Sequence, residues 1–254
     1  MSANVIQTEL VDGVLTLRLN RPEKRNAMSR VMYASLADHL EAARSDDAIR
    51  VVLLAGSQEC FTSGGDLKDG PIEGLDGPLG RFMRGLALFP KPVVAAPCGL
   101  AVGIGVTLLL HCDLVYAGEQ TTFRLPFVAL GVCPEFASSF LLPRLAGHLR
   151  ASELLLTGEA FDATAAREAG LVNETLPNDQ LEEYARARAA YVASQPPRSV
   201  RTTKQLLKRA RSPGILDAIE VEMEHLLRLQ QGAEAREALA AFQERRRPNF
   251  ADFR

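Results

Sequence analysis

Lys91-Pro92-Val93-Val94-Ala95-Ala96-Pro97-Cys98-Gly99-Leu100-Ala101-Val102-Gly103-Ile104-Gly105 is the stretch on which the fold turns. Val93 to Ala96 is an unbroken apolar run and reads as a buried strand. Pro97, Gly99, Gly103 and Gly105 then break the chain into a glycine-rich turn, and a buried helix follows. The 19 residues from Pro92 to Leu110 carry no charge, close to the roughly 20 that a bilayer-spanning helix needs. A proline and three glycines inside that length argue for strand, turn and helix, so no membrane is expected as a partner. A strand that ends in such a turn leaves N–H groups free at the positive end of the helix dipole, where a ligand oxygen can sit. Close helix packing would call for the same glycines.

Working outward, Leu15, Leu17 and Leu19 alternate with Thr16 and Arg18, the pattern of a strand with one face inward. Val51 to Ala55 is continuously apolar, as in a strand covered on both faces, and Leu114-Val115-Tyr116-Ala117 reads as another. Between them, Asn20 to Asn26 is a polar loop, and Ser29 opens a helix whose apolar positions Met32, Leu36 and Leu40 recur every four residues. Strand and helix alternate, which predicts α/β layering.

Past residue 136 the pattern turns helical, with helices expected over 138–145, 151–155, 163–169, 181–194, 200–210, 213–231 and 233–243. Leu171-Val172 is the one strand candidate there, and Pro196-Pro197 breaks the chain. The expected organisation is an α/β core over 1–195 and a helical region over 196–254 of the same subunit. That region would fold back on its own core or on a neighbouring subunit.

Composition narrows the classes. Of 254 residues, 47% are hydrophobic and 24% charged, ordinary globular proportions that exclude disorder and disulfide scaffolds. A net charge of −2 gives no bulk reason to bind nucleic acid. Cys60, Cys98, Cys112 and Cys133 lie in apolar neighbourhoods without CxxC spacing, so buried free thiols are expected and no metal. The first ten residues show no targeting pattern and the last three are not a peroxisomal tripeptide, so a cytoplasmic location is expected. There is no Trp.

Three segments carry chemistry. In Phe61-Thr62-Ser63-Gly64-Gly65-Asp66-Leu67-Lys68 the glycines free backbone N–H groups and Lys68 adds a cation; a Gly-Gly hairpin with surface charges would look the same. The glycine-rich turn at 99–105 is the second. In Leu130-Gly131-Val132-Cys133-Pro134-Glu135-Phe136, a carboxylate follows Pro at a helix start, the usual place for a dipole partner. Its neighbours Val132, Cys133 and Phe136 are apolar, and such surroundings raise a carboxylate toward the range of a general base.

Taken together, Leu19-Asn20-Arg21-Pro22 with Asn26-Ala27-Met28, then Phe61–Lys68, then Ala95–Asp113, resemble the crotonase (enoyl-CoA hydratase/isomerase) superfamily in order and spacing, across nearly the whole chain. The resemblance implies a spiral of ββα units with a C-terminal helical trimerisation region, a homotrimer or dimer of trimers, and an acyl-CoA thioester substrate with no separate cofactor. It also implies an oxyanion hole from the N–H groups of Gly65 and Ile104, and CoA contacts along Lys24, Ser63, Asp66, Leu67 and Lys68. Removing a proton alpha to a thioester moves charge onto the carbonyl oxygen, and two preorganised donors stabilise it.

The resemblance also separates reactions. Hydratases of the superfamily hold a water between two glutamates, and those positions here are Thr107 and Phe127, neither of which can serve as a base. Glu135 instead matches the glutamate of peroxisomal-type Δ3,Δ2-enoyl-CoA isomerases, in a Leu-Gly-x-x-Pro-Glu pattern. One base suffices to move a proton from C2 to C4 through a dienolate. Alternatives are an atypical hydratase or another crotonase enolate reaction, or a non-catalytic acyl-CoA-binding scaffold such as the crotonase-like domains of chromodomain Y-like proteins. Dehalogenation is disfavoured because that mechanism uses Trp. His39, His111, His148 and His225 are expected to be structural or exposed. Arg245-Arg246-Arg247 reads as a solvated tail or as a share of the CoA phosphate site.

Overall fold

A computed structural model describes residues 5–253. The chain opens as an antiparallel hairpin of β1 (Ile6–Val11) and β2 (Val14–Leu19), joined by Asp12-Gly13. Both turn residues have positive φ, 50° and 76°, the conformation that matches a tight hairpin turn to strand twist. α1 (Arg30–Ser45) follows; the Ser29 hydroxyl accepts from the Met32 N–H at 3.3 Å, as its position before the apolar repeat predicts. Then come β3 (Val51–Ala55), α2 (Pro78–Ala87), β4 (Val93–Ala96), β5 (Leu100–Val102), α3 (Ile104–Thr107), β6 (Leu114–Gly118) and β7 (Thr122–Arg124). The second half holds α4 (Ser138–Ala146), α5 (His148–Thr157), β8 (Ala160–Asp162), α6 (Ala163–Glu168), β9 (Glu174–Leu176), α7 (Leu181–Ala193), α8 (Pro197–Arg209), α9 (Ser212–Leu229) and α10 (Ala233–Glu244).

Two sheets result. The larger runs β1-β2-β3-β4-β6-β9, parallel except for the β1–β2 hairpin; the smaller runs β5-β7-β8. One face of the larger sheet packs on α1 and α2 in the main core, where Leu17, Met32, Leu36, Val52 and Phe82 are fully enclosed. On the other face, Val14, Val51, Leu53, Val94 and Tyr116 meet Leu181, Ala185, Ala189 and Ala193 of α7. Those α7 positions recur every four residues and three of them are alanine, so the helix axis can come close to the strands.

Several expectations are corrected. β2 is covered on both faces: its leucines face the main core, and Val14 and Thr16 are buried on the α7 side. Leu171-Val172 is not a strand; the late strands are β8 and β9, each three residues long and too short to show a period in sequence. The helix after the glycine-rich turn is one four-residue turn, α3, which tightens into a 3₁₀ turn at Leu108–His111. Cys60 and Cys98 are buried, but Cys112 and Cys133 are only half-buried. No helix among the described residues is long and apolar enough to cross a membrane.

The C-terminal helices are keyed into the core by polar groups. Lys204 of α8 donates to the Lys91 carbonyl and to Asp113 Oδ2, each at 2.6 Å. Lys208 donates to the His111 carbonyl at 3.1 Å. Lys91 itself places its Nζ on the carbonyls of Ala43, Asp46 and Ile49 at 2.6–2.8 Å, where α1 ends and its last C=O groups lack helical partners. α9 packs Ile215, Ile219, Glu222, Met223 and Leu226 inward.

Candidate active site

The site forms where the two segments rich in glycine run side by side. Met28 bridges Gly65, and Thr62 bridges Ala101, both in parallel sense. The 61–68 segment is thus a short strand-like link between the polar loop and the glycine-rich turn, not a hairpin. The Thr62–Ala101 bridge brings the Gly64-Gly65 segment against the turn that leads into Ile104. The contact is close: a Cβ on Gly105 would lie 2.4 Å from the Thr62 methyl, and one on Gly64, whose φ is 93°, would lie 3.0 Å from the Val102 carbonyl. Among the described residues no protein acceptor takes the N–H of Gly65 or of Ile104. Ile104 opens α3, where the first N–H groups have no intrahelical partner. Gly65 is exposed and Ile104 is buried.

Glu135 lies 5% exposed. Thr107 Oγ1 donates to its Oε1 at 2.5 Å, while Oε2 has no partner. Burial pushes the carboxyl up to about 8, helped by the charge of Glu222 and opposed by the Thr107 hydrogen bond. At neutral pH a substantial fraction is therefore protonated, and the ionised form is a strong base. Thr107 is more than a missing carboxylate: its hydroxyl holds the Glu135 carboxyl.

The placement of Glu135 differs from a helix start. It sits in irregular chain, and α4 begins three residues later at Ser138. In between, Phe136 and Ala137 both adopt left-handed backbone, φ 61° and 56°. For residues with a Cβ that conformation costs roughly 1–2 kcal/mol each. Glu222 of α9, 6% exposed, meets this turn: its Oε2 accepts from the Ala137 N–H at 2.6 Å, and its Oε1 from the Ser139 N–H at 2.9 Å and the Ser139 hydroxyl at 2.5 Å. Such charge-assisted bonds contribute about 1.5–3 kcal/mol each, enough to offset the strain. His111 Nε2 lies 2.7 Å from the Phe136 carbonyl, and the rings stack with centroids 3.9 Å apart. Since a carbonyl only accepts, Nε2 carries the proton. Burial drives the His111 pKa down to about 3, so the ring is neutral.

A cavity of about 410 Å³ opens beside Gly65, lined among others by Tyr33, Leu79, Val132, Leu226 and Leu239. Its walls are mainly apolar, as an acyl chain requires. The Tyr33 hydroxyl is 3.4 Å from where a Gly65 Cβ would be. Burial raises its pKa, and the charges of Glu135, Asp69 and Asp66 add to the effect. Glu135 does not itself line that cavity.

Of the remaining expected contacts, Asp66 and Leu67 line the cavity, and Lys24, Ser63 and Lys68 do not. Lys24, Leu67 and Lys68 are exposed, and the Ser63 hydroxyl donates to the Lys24 carbonyl at 3.4 Å. Asp66 pairs with Arg21 at 2.6 Å; burial raises its pKa, but the Arg21 and Lys68 N–H hydrogen bonds outweigh this and hold it below the ordinary carboxylate value. Asn26, buried, accepts from the Arg21 N–H at 2.7 Å and donates to the Cys60 and Phe61 carbonyls, tying the polar loop to the 61–68 segment. Arg246 is engaged by Glu237 at 2.5 Å and by Glu244 at 2.6 Å. No group of His, Cys, Asp and Glu among the described residues is arranged to hold a metal.

Sequence reasoning did not single out Tyr33 or Glu222, yet both left a signal. Glu222 follows Ile215 and Ile219 by seven and three residues and precedes Leu226 by four, so it falls on the apolar stripe of α9. A carboxylate there must find buried donors.

Comparison with known proteins shows the family and the fold. The family model described as enoyl-CoA hydratase/isomerase matches residues 9–253. The chain is 35% identical to the 1,2-epoxyphenylacetyl-CoA isomerase of Escherichia coli (strain K12), over 96% of this chain and 97% of that protein. It is 35% identical to human enoyl-CoA delta isomerase 2 over 78% of this chain, spanning 52% of that longer protein. Among solved structures, an enoyl-CoA hydratase/isomerase from Pseudoalteromonas atlantica T6c superposes with a TM-score of 0.93 at 40% identity, covering 97% of this chain and all of that one. Pseudomonas aeruginosa OdaA does so with a TM-score of 0.93 at 44% identity, covering 94% and 99%.

Proposed function

This chain belongs to the enoyl-CoA hydratase/isomerase family, the crotonase superfamily, and from that premise we propose that it is a Δ3,Δ2-enoyl-CoA isomerase with Glu135 as its single base. The observation that carries the reading is the buried carboxylate with one oxygen held by Thr107 and the other unpartnered, while the positions that would supply a second carboxylate are Thr107 and Phe127.

In this reading the thioester carbonyl of a 3-enoyl-CoA accepts from the N–H groups of Gly65 and Ile104. Glu135 Oε2 takes a proton from C2, and the negative charge passes to the carbonyl oxygen as a dienolate. Each preorganised donor is worth about 3–4 kcal/mol at that stage. The same proton returns at C4, giving the conjugated 2-enoyl-CoA with no net change in atoms. The resemblance to enoyl-CoA delta isomerase 2 supports this choice within the family. The acyl chain would occupy the apolar cavity, with CoA along Lys24, Ser63, Asp66, Leu67 and Lys68; assembly as a trimer or dimer of trimers and a role in fatty acid oxidation complete the proposal.

The test is turnover of a 3-enoyl-CoA and hydration of crotonyl-CoA by the purified protein and by Glu135→Gln. Isomerisation well above hydration, abolished in the variant while CoA esters still bind, is the expected result. Near-wild-type turnover by Glu135→Gln would remove Glu135 as the base. A hydration rate matching isomerisation would overturn the choice of reaction.

A further inference from the structure

Glu135 is followed by two residues in left-handed backbone. The start of α4 holds the Ala137 carbonyl through the N–H groups of Phe140 and Leu141, whereas the Ala137 N–H and the Phe136 carbonyl are held from elsewhere in the fold. From α9, the Glu222 carboxylate accepts the N–H groups of Ala137 and Ser139 and the Ser139 hydroxyl. From the turn after α3, the His111 ring holds the Phe136 carbonyl and stacks on the Phe136 ring. Glu222 is 6% exposed and His111 is 1% exposed, so neither reaches solvent for its partners. A carboxylate and a neutral imidazole thus grip opposite sides of one strained turn, directly after the base.

We infer that Glu222 and His111 are positioning residues that hold the Phe136-Ala137 turn in its left-handed form and thereby aim the Glu135 carboxylate. This rests on the reading of Glu135 as the base. Without the grip, Phe136 and Ala137 would relax toward ordinary backbone, and the peptide carrying Glu135 would rotate with them. The unpartnered Oε2 would then lose its direction while the CoA contacts, on other segments, stay in place. Glu222 also acts through space: its charge is one of the influences that raise the Glu135 carboxyl, alongside burial and against the Thr107 hydrogen bond. Tyr33 of α1 feels the charge of Glu135, and Lys208, Arg211 and Lys204 act on His111, Lys208 also donating to the His111 carbonyl.

Glu222→Gln tests this. The amide keeps the shape but offers one accepting oxygen, so the N–H of Ala137 or of Ser139 loses its partner, and the charge is gone. Expected is a fall in kcat of about tenfold or more with KM for 3-enoyl-CoA changed by less than about threefold. The acidic limb of the kcat/KM profile should move to lower pH, because a like charge has been removed. A role confined to stability would lower Tm and leave that limb in place. Adding Ala137→Gly, which accepts positive φ without strain, should restore part of kcat, and this double variant serves for the same readings if Glu222→Gln alone does not fold. The inference stands if kcat falls and the limb moves; it is overturned if either stays put. A wild-type protein without isomerase turnover would refute the proposed reaction, and crystal structures of both proteins then decide the inference alone. A Phe136-Ala137 turn that leaves positive φ in Glu222→Gln upholds it and an unchanged turn overturns it.

Discussion

Replacing Thr107 with Val removes one hydrogen bond and almost nothing else. Thr107 is fully buried, and its hydroxyl lies 2.5 Å from Glu135 Oε1. Val keeps the branched shape, so the carboxylate is left with both oxygens unpartnered. A hydrogen bond to a charged group contributes about 1.5–3 kcal/mol, and one pKa unit corresponds to about 1.4 kcal/mol. Starting from about 8, the carboxyl should move to about 9 or 10. The ionised fraction at pH 7 then drops from about a tenth to between about a hundredth and a thousandth. Since only the ionised form removes a proton, kcat/KM at pH 7 should fall about 10- to 100-fold and recover as pH rises. The assay is 3-enoyl-CoA turnover between about pH 6 and pH 10, followed by the ultraviolet absorbance of the conjugated product. A limb at the wild-type pH, or one moved to lower pH, refutes the argument that Thr107 holds the ionised base. A loss that is the same at every pH would mean that the base had moved rather than changed its ionisation.

Three further outcomes follow from buried groups. Glu135 titrates at 4.5 in the unfolded chain and at about 8 in the folded one, so unfolding releases a proton between those values and stability falls as pH rises through that window. By linkage the loss is about 5 kcal/mol, so Glu135→Gln should have the higher Tm at pH 9 and a matching Tm near pH 4; equal values at pH 9 would contradict the burial argument. His111 is shifted the other way, from 6.5 to about 3, so its neutral form supports the fold above pH 6.5 and that support is lost as pH falls toward 3. His111→Gln should flatten this acid limb in denaturant titrations, at the expense of stability at pH 7. Gly99 has a φ of 72°, and a Cβ there would lie 1.9 Å from the Glu59 carbonyl; Gly99→Ala should destabilise the protein by at least about 3 kcal/mol by calorimetry, and a change under about 1 kcal/mol would show that the two segments can separate.

Long apolar periods were readable from sequence, and short or shared elements were not. β3 and β4 show as unbroken apolar runs because both faces are covered, and α1 and α9 show because their stripes are long. β8 and β9 have three residues each, fewer than any periodicity can mark. α2 went unread between the glycines of 70–80, although Phe82, Met83 and Leu86 are buried in the main core. At the site, Glu135 was legible as an acid in apolar company. The left-handed turn behind it was not, because Phe136 and Ala137 are not turn residues and one of the groups that meets the turn, Glu222, lies 85 residues away. Thr107 could be read only as the lack of a glutamate until its contact with Glu135 was seen.

One helix, α9, carries two unlike duties within a single turn. Glu222 holds the backbone that follows Glu135, and Leu226, four residues on, forms part of the cavity wall. In the proposed reading, substrate choice and chemical competence are therefore coupled through one helix: a change that reshapes the cavity through α9 also disturbs the turn after Glu135. Leu79 of α2 and Leu239 of α10 line the same cavity from other helices, so in that reading they are the positions at which its shape can change independently of that turn.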